Sequence, residues 1–189
     1  AISAHDAGSS VLVLEEGAIG SGGSSTSVEG LAASINESNN KSHASDTINT
    51  GAGMCDESTV HNRTNSSFDH LAQLERWGLV LRRTSNGTPH LISGPGHNLA
   101  RVATTGDTTG REIYSILQEQ CMKRSITIRG DTQSISLVID GNSIVGLVTI
   151  DVQRGDLVAI QAKSVILATD GFESAWNGGS GGAGLWLAQ

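Results

Sequence analysis

An acidic side chain at the end of an apolar run is the first group in this sequence that could do chemistry. Residues 11–14 read Val-Leu-Val-Leu, and Glu15 follows directly. Four apolar residues in a row predict a strand buried on both faces. In nucleotide-binding α/β folds, a carboxylate at such a strand tip accepts hydrogen bonds from ribose hydroxyls. A solvated strand-end glutamate is the alternative, because the usual companion of such a residue, a GxGxxG motif in the first βα turn, is absent.

A glycine- and serine-rich segment follows the strand. Residues 17–30 read GAIGSGGSSTSVEG. Glycines let backbone N–H groups approach a phosphate closely, and hydroxyl groups add further donors. We therefore expect a ligand-facing loop, with a flexible linker as the alternative.

Charge and composition exclude several functional classes. The chain has 189 residues and a net charge of −7, and its 12 lysines and arginines are scattered, which argues against a nucleic-acid-binding face. It contains neither an apolar run long enough to cross a membrane nor a secretory signal, so we expect a cytoplasmic location. Cys55 and Cys121 form no CxxC pattern, and Cys55, His61 and His70 lack zinc-ligand spacing, so no metal site is expected.

Hydrophobic periodicity and turn residues predict an alternation of helices and strands. Helices are expected at 1–8, closed by Gly8, at 56–77, capped by Asp56, and at 109–124, whereas 34–54 and 82–105 read as irregular. Strands are expected at 11–15 and 126–129, and a second buried strand is expected at 165–168. Between them, an antiparallel meander is expected at 134–140, 143–153 and 157–163. A last helix is expected to begin near 185. The predicted fold is α/β: a Rossmann-like parallel sheet with an inserted antiparallel β-meander, lacking the first strand of its βαβ unit.

The order of these elements and several local motifs resemble the flavoprotein family of succinate dehydrogenase, fumarate reductase and L-aspartate oxidase. The resemblance covers nearly the whole chain, and its most specific segments are GAGMCDE and DTTGREI. The matching segments are VLVLEEG (11–17), GGSSTSVEGLAAS (22–34), DTINTGAGMCDESTV (46–60), LERWGLVLRR (74–83), GPGH (94–97), GDTTGREI (106–113), IVGLVTIDVQRGDLVAIQAKSVILATDGF (144–172) and GGAGLWLA (181–188).

The resemblance implies an FAD/NAD(P)-binding fold that holds FAD, with a role for each matching segment. Glu15 would bind the adenosine ribose, the loop 22–30 would wrap the pyrophosphate and reach the flavin edge, and Asp107 would lie near the flavin or, alternatively, cap the following helix. The adenine would lie beside 132–134, and the pyrophosphate or ribityl chain beside 168–169. The implied cofactor-binding residues are Glu15, Gly22, Gly23, Ser24, Ser25, Thr26, Gly30, Thr132, Gln133, Ser134, Ala168, Thr169 and Asp107.

Four positions depart from the family pattern. The histidine that attaches FAD covalently in membrane-bound members aligns with Gly23 or Ser24, so the resemblance implies noncovalent FAD. The paired glycines of the loop read Glu29-Gly30. Asp170 stands where the family has glycine, and Ala183 stands where a flavin-binding aspartate is expected. Because Asp170 would bring negative charge near phosphates, we expect weakened FAD binding.

The resemblance implies hydride transfer between flavin N5 and a small dicarboxylate, namely succinate, fumarate or L-aspartate. We expect residues 1–189 to be a partial FAD-binding domain that is inactive alone, without the GxGxxG turn, the capping domain or the catalytic arginine, so no catalytic residue is assigned. An iron–sulfur subunit is an implied partner, which would place the protein at the inner face of the membrane. The alternatives are a noncatalytic remnant or nucleotide-binding module and, less favoured, an NAD(P)-dependent enzyme. His97 in GPGH is either an active-site-side histidine or a solvated loop residue.

Overall fold

The fold was analysed in a computed structural model, which describes residues 1–20, 23–34, 37–171 and 183–188. Gly22, Trp176 and the glycine cluster at 178–182 lie outside the described residues. The chain divides into two compact units. The first comprises residues 1–26 and 118–189, and the second comprises residues 27–117.

The first unit contains a pair of parallel strands. Helix α1 (Ile2–Asp6) precedes strand β1 (Leu12–Leu14), which pairs in parallel with β5 (Thr127–Arg129). Gly8 follows the helix with φ +89°, a left-handed conformation that glycine adopts without strain, which confirms the predicted helix stop. The prediction that β1 is buried on both faces is wrong, because all three of its residues are half-buried. In the described part of the chain β1 pairs on one edge only, with β5.

The predicted antiparallel meander is confirmed in the same unit. Its strands are β6 (Thr132–Asp140), β7 (Ser143–Asp151) and β8 (Leu157–Gln161), hydrogen-bonded in that order. Gly141 and Gly155 make the two turns with positive φ. Gly146 in β7 faces the backbone of Ile160 so closely that a Cβ atom would clash with the carbonyl. Close strand packing therefore explains this glycine without a ligand.

The predicted buried strand at 165–168 does not form. These residues form no regular secondary structure and have no hydrogen-bonded partner strand among the described residues, and Ile166 is 81% exposed. An apolar run becomes a strand only where a neighbouring strand supplies its hydrogen bonds. The apolar composition of 165–168 was therefore not enough to predict a strand. A short helix, α5 (Ala183–Ala188), begins close to the predicted position.

The second unit packs helices against a small antiparallel sheet. Helix α3 (Glu57–Arg76) is capped by Asp56, as predicted, and α4 (Thr109–Lys123) begins in this unit and continues into the first. The sheet has the order β2 (Leu31–Ala32), β4 (Val102–Ala103), β3 (Leu91–Ile92). Its apolar core consists of Ala33, Leu71, Leu79, Leu81 and Ala103.

Two segments predicted to be irregular are ordered in this unit. Helix α2 (Glu37–Thr50) occupies most of 34–54, and strands β3 and β4 lie within 82–105. The sequence of α2 shows no apolar stripe, because the side chains that it buries include His43 and Asp46. Strands of two residues are too short to show alternation. No helix of the described residues is long and apolar enough to cross a bilayer.

Candidate functional site

Glu15 lies where the sequence predicts it, at the carboxyl end of a parallel strand. Its backbone N–H donates to Arg129 O at 2.9 Å, and its carbonyl accepts from Thr132 N at 2.9 Å. The Gly17 N–H points to Glu15 Oε1 at 3.5 Å. The chain thus brings Glu15 and the start of β6 together at one sheet edge, with a half-buried carboxylate that can accept hydrogen bonds.

The three residues expected beside the adenine begin the meander. Thr132 and Ser134 are half-buried and Gln133 is exposed. The Thr132 hydroxyl donates to Gly130 O at 3.0 Å, and Asp131 N donates to Gly17 O at 2.9 Å, which fixes this turn against the end of β1. Residues 132–134 and the end of β1 lie at the same edge of the sheet, because β1 and β5 pair in parallel and their carboxyl ends meet there.

The glycine- and serine-rich loop contains a single 3₁₀ turn, Ser24–Ser27. Thr26 Oγ1 donates to Gly23 O at 3.2 Å, and Ser25 is exposed. Gly23 has φ +82°, in the region where side-chain-bearing residues are strained. This local order disfavours the flexible-linker interpretation for these residues.

Asp170 approaches this loop within the first unit. A Cβ atom placed on Gly23 would lie 3.7 Å from Asp170 Oδ2. Asp170 itself has φ +56°, so it adopts a left-handed conformation at the position where the family motif has glycine. Of the neighbouring predicted residues, Ala168 is exposed and Thr169 is half-buried, and Thr169 Oγ1 lies where a side chain on Gly184 would be.

The remaining predicted residues, Gly30 and Asp107, belong to the second unit. A Cβ atom on Gly30 would lie 2.5 Å from Val102 Cγ1 and 2.9 Å from Ala103 O, so packing on β4 already requires a glycine there. Asp107 is exposed in the turn before α4 and forms no hydrogen bond within the described residues. The helix-cap interpretation of Asp107 therefore has no hydrogen bond to support it.

Replacing Gly30 by alanine is expected to lower the free energy of unfolding by about 1–3 kcal/mol, because the methyl group would overlap β4. The measurement is urea unfolding. Gly171→Ala is the matched control, since a Cβ atom at Gly171 would meet nothing within 4 Å. Unchanged stability together with weaker FAD binding in the Gly30 variant would instead show that this glycine contacts the cofactor.

A buried ion pair in the second unit was not predicted. Arg101 Nη1 donates to Asp46 Oδ2 at 2.5 Å, and the two side chains are 1% and 2% exposed. Asn98 donates to both oxygens of the carboxylate, through its backbone N–H at 2.9 Å and through Nδ2 at 2.5 Å. Arg101 Nη2 donates to Ser42 Oγ at 2.9 Å. The hydrogen bond from Arg101 lowers the pKa of Asp46 below its ordinary value, so the carboxylate is ionised.

Two histidines extend this ion pair into a cluster. Arg101 Nη1 also lies 2.9 Å from His97 Nδ1. His43 Nδ1 lies 3.0 Å from Ser34 Oγ, and the rings of His43 and His97 meet edge to face with centroids 5.5 Å apart. Burial lowers the pKa of both histidines, and the Arg101 cation lowers it further, while Asp46 acts in the opposite direction. Both imidazoles are therefore neutral at pH 7.

A cavity of about 430 Å³ opens beside this cluster, lined by Asp46, Asn49, Thr50, Gly96, His97 and Asn98. His97 is half-buried at the wall of this cavity, and its functional role stays a prediction. Asp46 and Arg101 have no sequence signature of a buried pair, because 55 residues separate them. The sequence indicated this pair only indirectly, because Asp46 is the first residue of the segment 46–60 that matches the family pattern.

Comparison with known proteins agrees with this architecture. A protein-family model described as "FAD binding domain" matches residues 1–187. The chain belongs to this FAD-binding family. It is 33% identical over 171 residues to an L-aspartate oxidase of Mesorhizobium japonicum, covering 88% of this chain and 33% of that protein. It is 30% identical over 148 residues to a fumarate reductase flavoprotein subunit of Mycobacterium tuberculosis, covering 77% of this chain and 25% of that protein.

Solved structures of the same family confirm the α/β fold. Mycobacterium smegmatis Sdh1 in complex with UQ1 has a TM-score of 0.84 at 25% identity, covering 92% of this chain and 32% of that one. A quinol-fumarate reductase with menaquinol molecules has a TM-score of 0.83 at 20% identity, covering 93% of this chain and 31% of that one. The chain thus spans about a third of the length of the relatives that it matches. Its relatives are FAD-dependent oxidoreductases, and FAD is the cofactor of this family.

The chemistry of the groups around Glu15 fits the adenosine half of FAD. Glu15 offers a half-buried carboxylate acceptor at the strand edge, beside the turn that begins β6. Such an acceptor suits ribose hydroxyls. Asp170 is the discordant group, because its carboxylate lies beside the loop expected to hold a diphosphate.

Proposed function

We propose that this chain is the FAD-binding part of an oxidoreductase that acts on a small dicarboxylate, either succinate and fumarate or L-aspartate. The observation that carries the proposal is the position of Glu15 at the carboxyl end of β1, joined by backbone hydrogen bonds to the start of β6. The relatives named L-aspartate oxidase and fumarate reductase support the substrate class.

The residues of this chain bind and orient the cofactor in this proposal. Glu15 accepts hydrogen bonds from the ribose, and 132–134 lie beside the adenine. Gly22, Gly23, Ser24, Ser25 and Thr26 supply N–H and hydroxyl donors to the diphosphate, and Ala168 and Thr169 approach the same group from 165–171. For Asp107 and Gly30, which belong to the second unit, a role toward the flavin rests on the family resemblance alone. FAD, held noncovalently, supplies the hydride acceptor at N5, and no residue of this chain is assigned to catalysis.

An interaction with an iron–sulfur partner protein belongs to the same proposal. The relatives include a quinol-fumarate reductase, whose name indicates exchange of electrons with a quinol. Through such a partner the protein would associate peripherally with the inner face of a membrane. Co-purification of an iron–sulfur protein with the intact protein supports this arrangement, and purification as an active, single-subunit oxidase contradicts it.

Replacing Glu15 by alanine is expected to weaken FAD binding by about tenfold to a hundredfold, the range of a charged hydrogen bond of about 1.5–3 kcal/mol. Fluorescence titration with FAD measures the change. Glu16→Ala is the matched control, because Glu16 is the neighbouring carboxylate and is exposed. Equal affinities for the two variants would contradict the role of Glu15.

The substrate class is tested separately in the intact protein that contains this chain. Under anaerobic conditions, succinate or L-aspartate is expected to bleach the flavin absorbance, and fumarate is expected to restore it. A flavin that responds to none of the three, while remaining bound, contradicts dicarboxylate chemistry but leaves the cofactor site intact.

A noncatalytic remnant or nucleotide-binding module is the second candidate. The specific observation in its favour is Asp170, a carboxylate in left-handed conformation beside Gly23. In a remnant, selection against charge beside a diphosphate would be relaxed. The two candidates differ in whether the intact protein retains flavin when purified.

A further inference from the structure

The segment 93–101, which joins β3 to β4, is held against helix α2 by polar contacts. Asp46 of α2 accepts hydrogen bonds from Arg101 Nη1 and from the backbone and side chain of Asn98. Arg101 Nη2 donates to Ser42 Oγ at 2.9 Å. The cavity of about 430 Å³ is lined by residues of both elements, so close packing between them is incomplete. The contact between the segment and α2 therefore depends on these hydrogen bonds.

One hydrogen bond of this contact requires a neutral histidine. Arg101 Nη1 lies 2.9 Å from His97 Nδ1. A guanidinium has only donors, so His97 Nδ1 must be the acceptor and carries no proton. The proton of the neutral ring is then on Nε2, and a second proton could bind only at Nδ1. Because that proton would remove the hydrogen bond and bring two cations into contact, His97 can bind it only after separating from Arg101.

A second histidine lies beside the same cation. His43 on α2 is 7% exposed, its Nδ1 lies 3.0 Å from Ser34 Oγ, and its ring meets that of His97 edge to face with centroids 5.5 Å apart. A proton on either ring would place a positive charge beside Arg101 in a largely buried position. Burial, followed by the Arg101 cation, lowers the pKa of both histidines, which agrees with this geometry.

The charged and titratable groups around the two rings come from two elements. Helix α2 contributes His43 and Asp46, and the segment 93–101 contributes His97 and Arg101. Helix α3, which packs against α2, contributes the neutral Ser67, whose Oγ accepts a backbone hydrogen bond at 3.0 Å. With both rings neutral, the aspartate and the arginine balance each other, and each bound proton adds one uncompensated positive charge.

We propose that His43 and His97 form a pH-sensitive switch, whose protonation in mild acid releases the segment 93–101 from α2 and opens the cavity between them. In the released form each ring regains its ordinary pKa near 6.5, so this form binds more protons than the closed form below that pH. A group whose pKa is lowered in the closed form favours that form above its ordinary pKa, and this preference is lost as the pH falls. The closed form is therefore most stable above about pH 7 and becomes less stable as the pH falls below about 6.5.

Amide hydrogen exchange of the full chain at pH 7.0 and pH 5.5, corrected for the intrinsic pH dependence of exchange, tests the switch. The Asn98 N–H, which donates to Asp46 Oδ2, is expected to lose protection by about tenfold for each histidine that binds a proton. The amides of the β6–β7 pair, in the first unit, are the internal reference and are expected to keep their protection. Unchanged protection at Asn98, or an equal loss in β6 and β7, would overturn the proposal.

Two variants assign the effect to the histidines. In His97→Asn, the amide Oδ1 takes the place of the imidazole Nδ1 and can accept from Arg101, but it does not bind a proton in this pH range. We expect His97→Asn and His43→Asn each to remove about tenfold of the pH dependence at Asn98. His90→Asn, which changes an exposed loop histidine of the same unit, is the matched control and should keep the wild-type response. A full wild-type response in both His97→Asn and His43→Asn contradicts the switch. If His97→Asn does not fold, the wild-type exchange and His43→Asn decide the question.

Discussion

Asp46→Asn is expected to lower the free energy of unfolding by about 3–5 kcal/mol, the cost of leaving one buried charge without its partner. Asparagine preserves the shape of the side chain but leaves the Arg101 guanidinium, 1% exposed, without a counter-charge. Since a domain of this size is stable by about 5–15 kcal/mol in total, the variant should unfold at a much lower urea concentration.

Two comparisons separate this effect from nonspecific damage. Asp6→Asn removes a carboxylate that pairs with Arg124 at the surface, where it is 49% exposed, and should leave the unfolding midpoint nearly unchanged. Arg101→Met should lower the free energy of unfolding as much as Asp46→Asn does. The double variant should lower it by less than the sum of the two single losses, because it leaves no unpaired charge. Additive losses would show that the pair contributes no mutual stabilisation.

The effect of Asp46 also has a definite pH dependence. Its pKa is lowered in the folded protein by the hydrogen bond from Arg101. A group with a lowered folded pKa stabilises the protein above its unfolded pKa and loses that contribution as the pH falls through the folded value. The stability difference between the wild type and Asp46→Asn should therefore be full at neutral pH and shrink below about pH 4.

Asp170→Gly is expected to tighten FAD binding by about tenfold. The carboxylate lies beside Gly23 in the loop proposed to hold the diphosphate, and a repulsion of about 1–2 kcal/mol between charges at an effective dielectric constant near 20 corresponds to that factor. Glycine also adopts the observed φ of +56° without strain, so the variant should be more stable as well. Fluorescence titration with FAD and urea unfolding measure the two effects.

Asp170→Asn is the matched control, because asparagine removes the charge and tolerates the left-handed conformation. It should reproduce most of the gain in affinity but little of the gain in stability. If neither variant changes FAD affinity, Asp170 does not lie beside the diphosphate. The double variant Asp170→Gly, Ala183→Asp restores both departures from the family pattern, and unchanged flavin content there would show that they do not explain weak binding.

The sequence determined those parts of this protein that depend on local physics. Strands formed at Leu12–Leu14 and Thr127–Arg129, within the predicted ranges, Asp56 capped α3, and short turns produced the antiparallel meander. These features were predictable because apolar patterns and turn residues act over a few positions. The strand-end carboxylate Glu15, with the family resemblance, was likewise sufficient to indicate an FAD domain, as the family match confirms.

Only the tertiary structure decided which residues form the buried cluster and which apolar runs become strands. Helix α2 has no apolar stripe, because it buries Asp46 against Arg101, 55 residues away, and His43 against Ser34, which precedes the helix. The run at 165–168 is apolar enough for a strand but has no partner strand among the described residues. Both outcomes depend on hydrogen-bond partners supplied by other parts of the chain, and no periodicity in the local sequence records those partners.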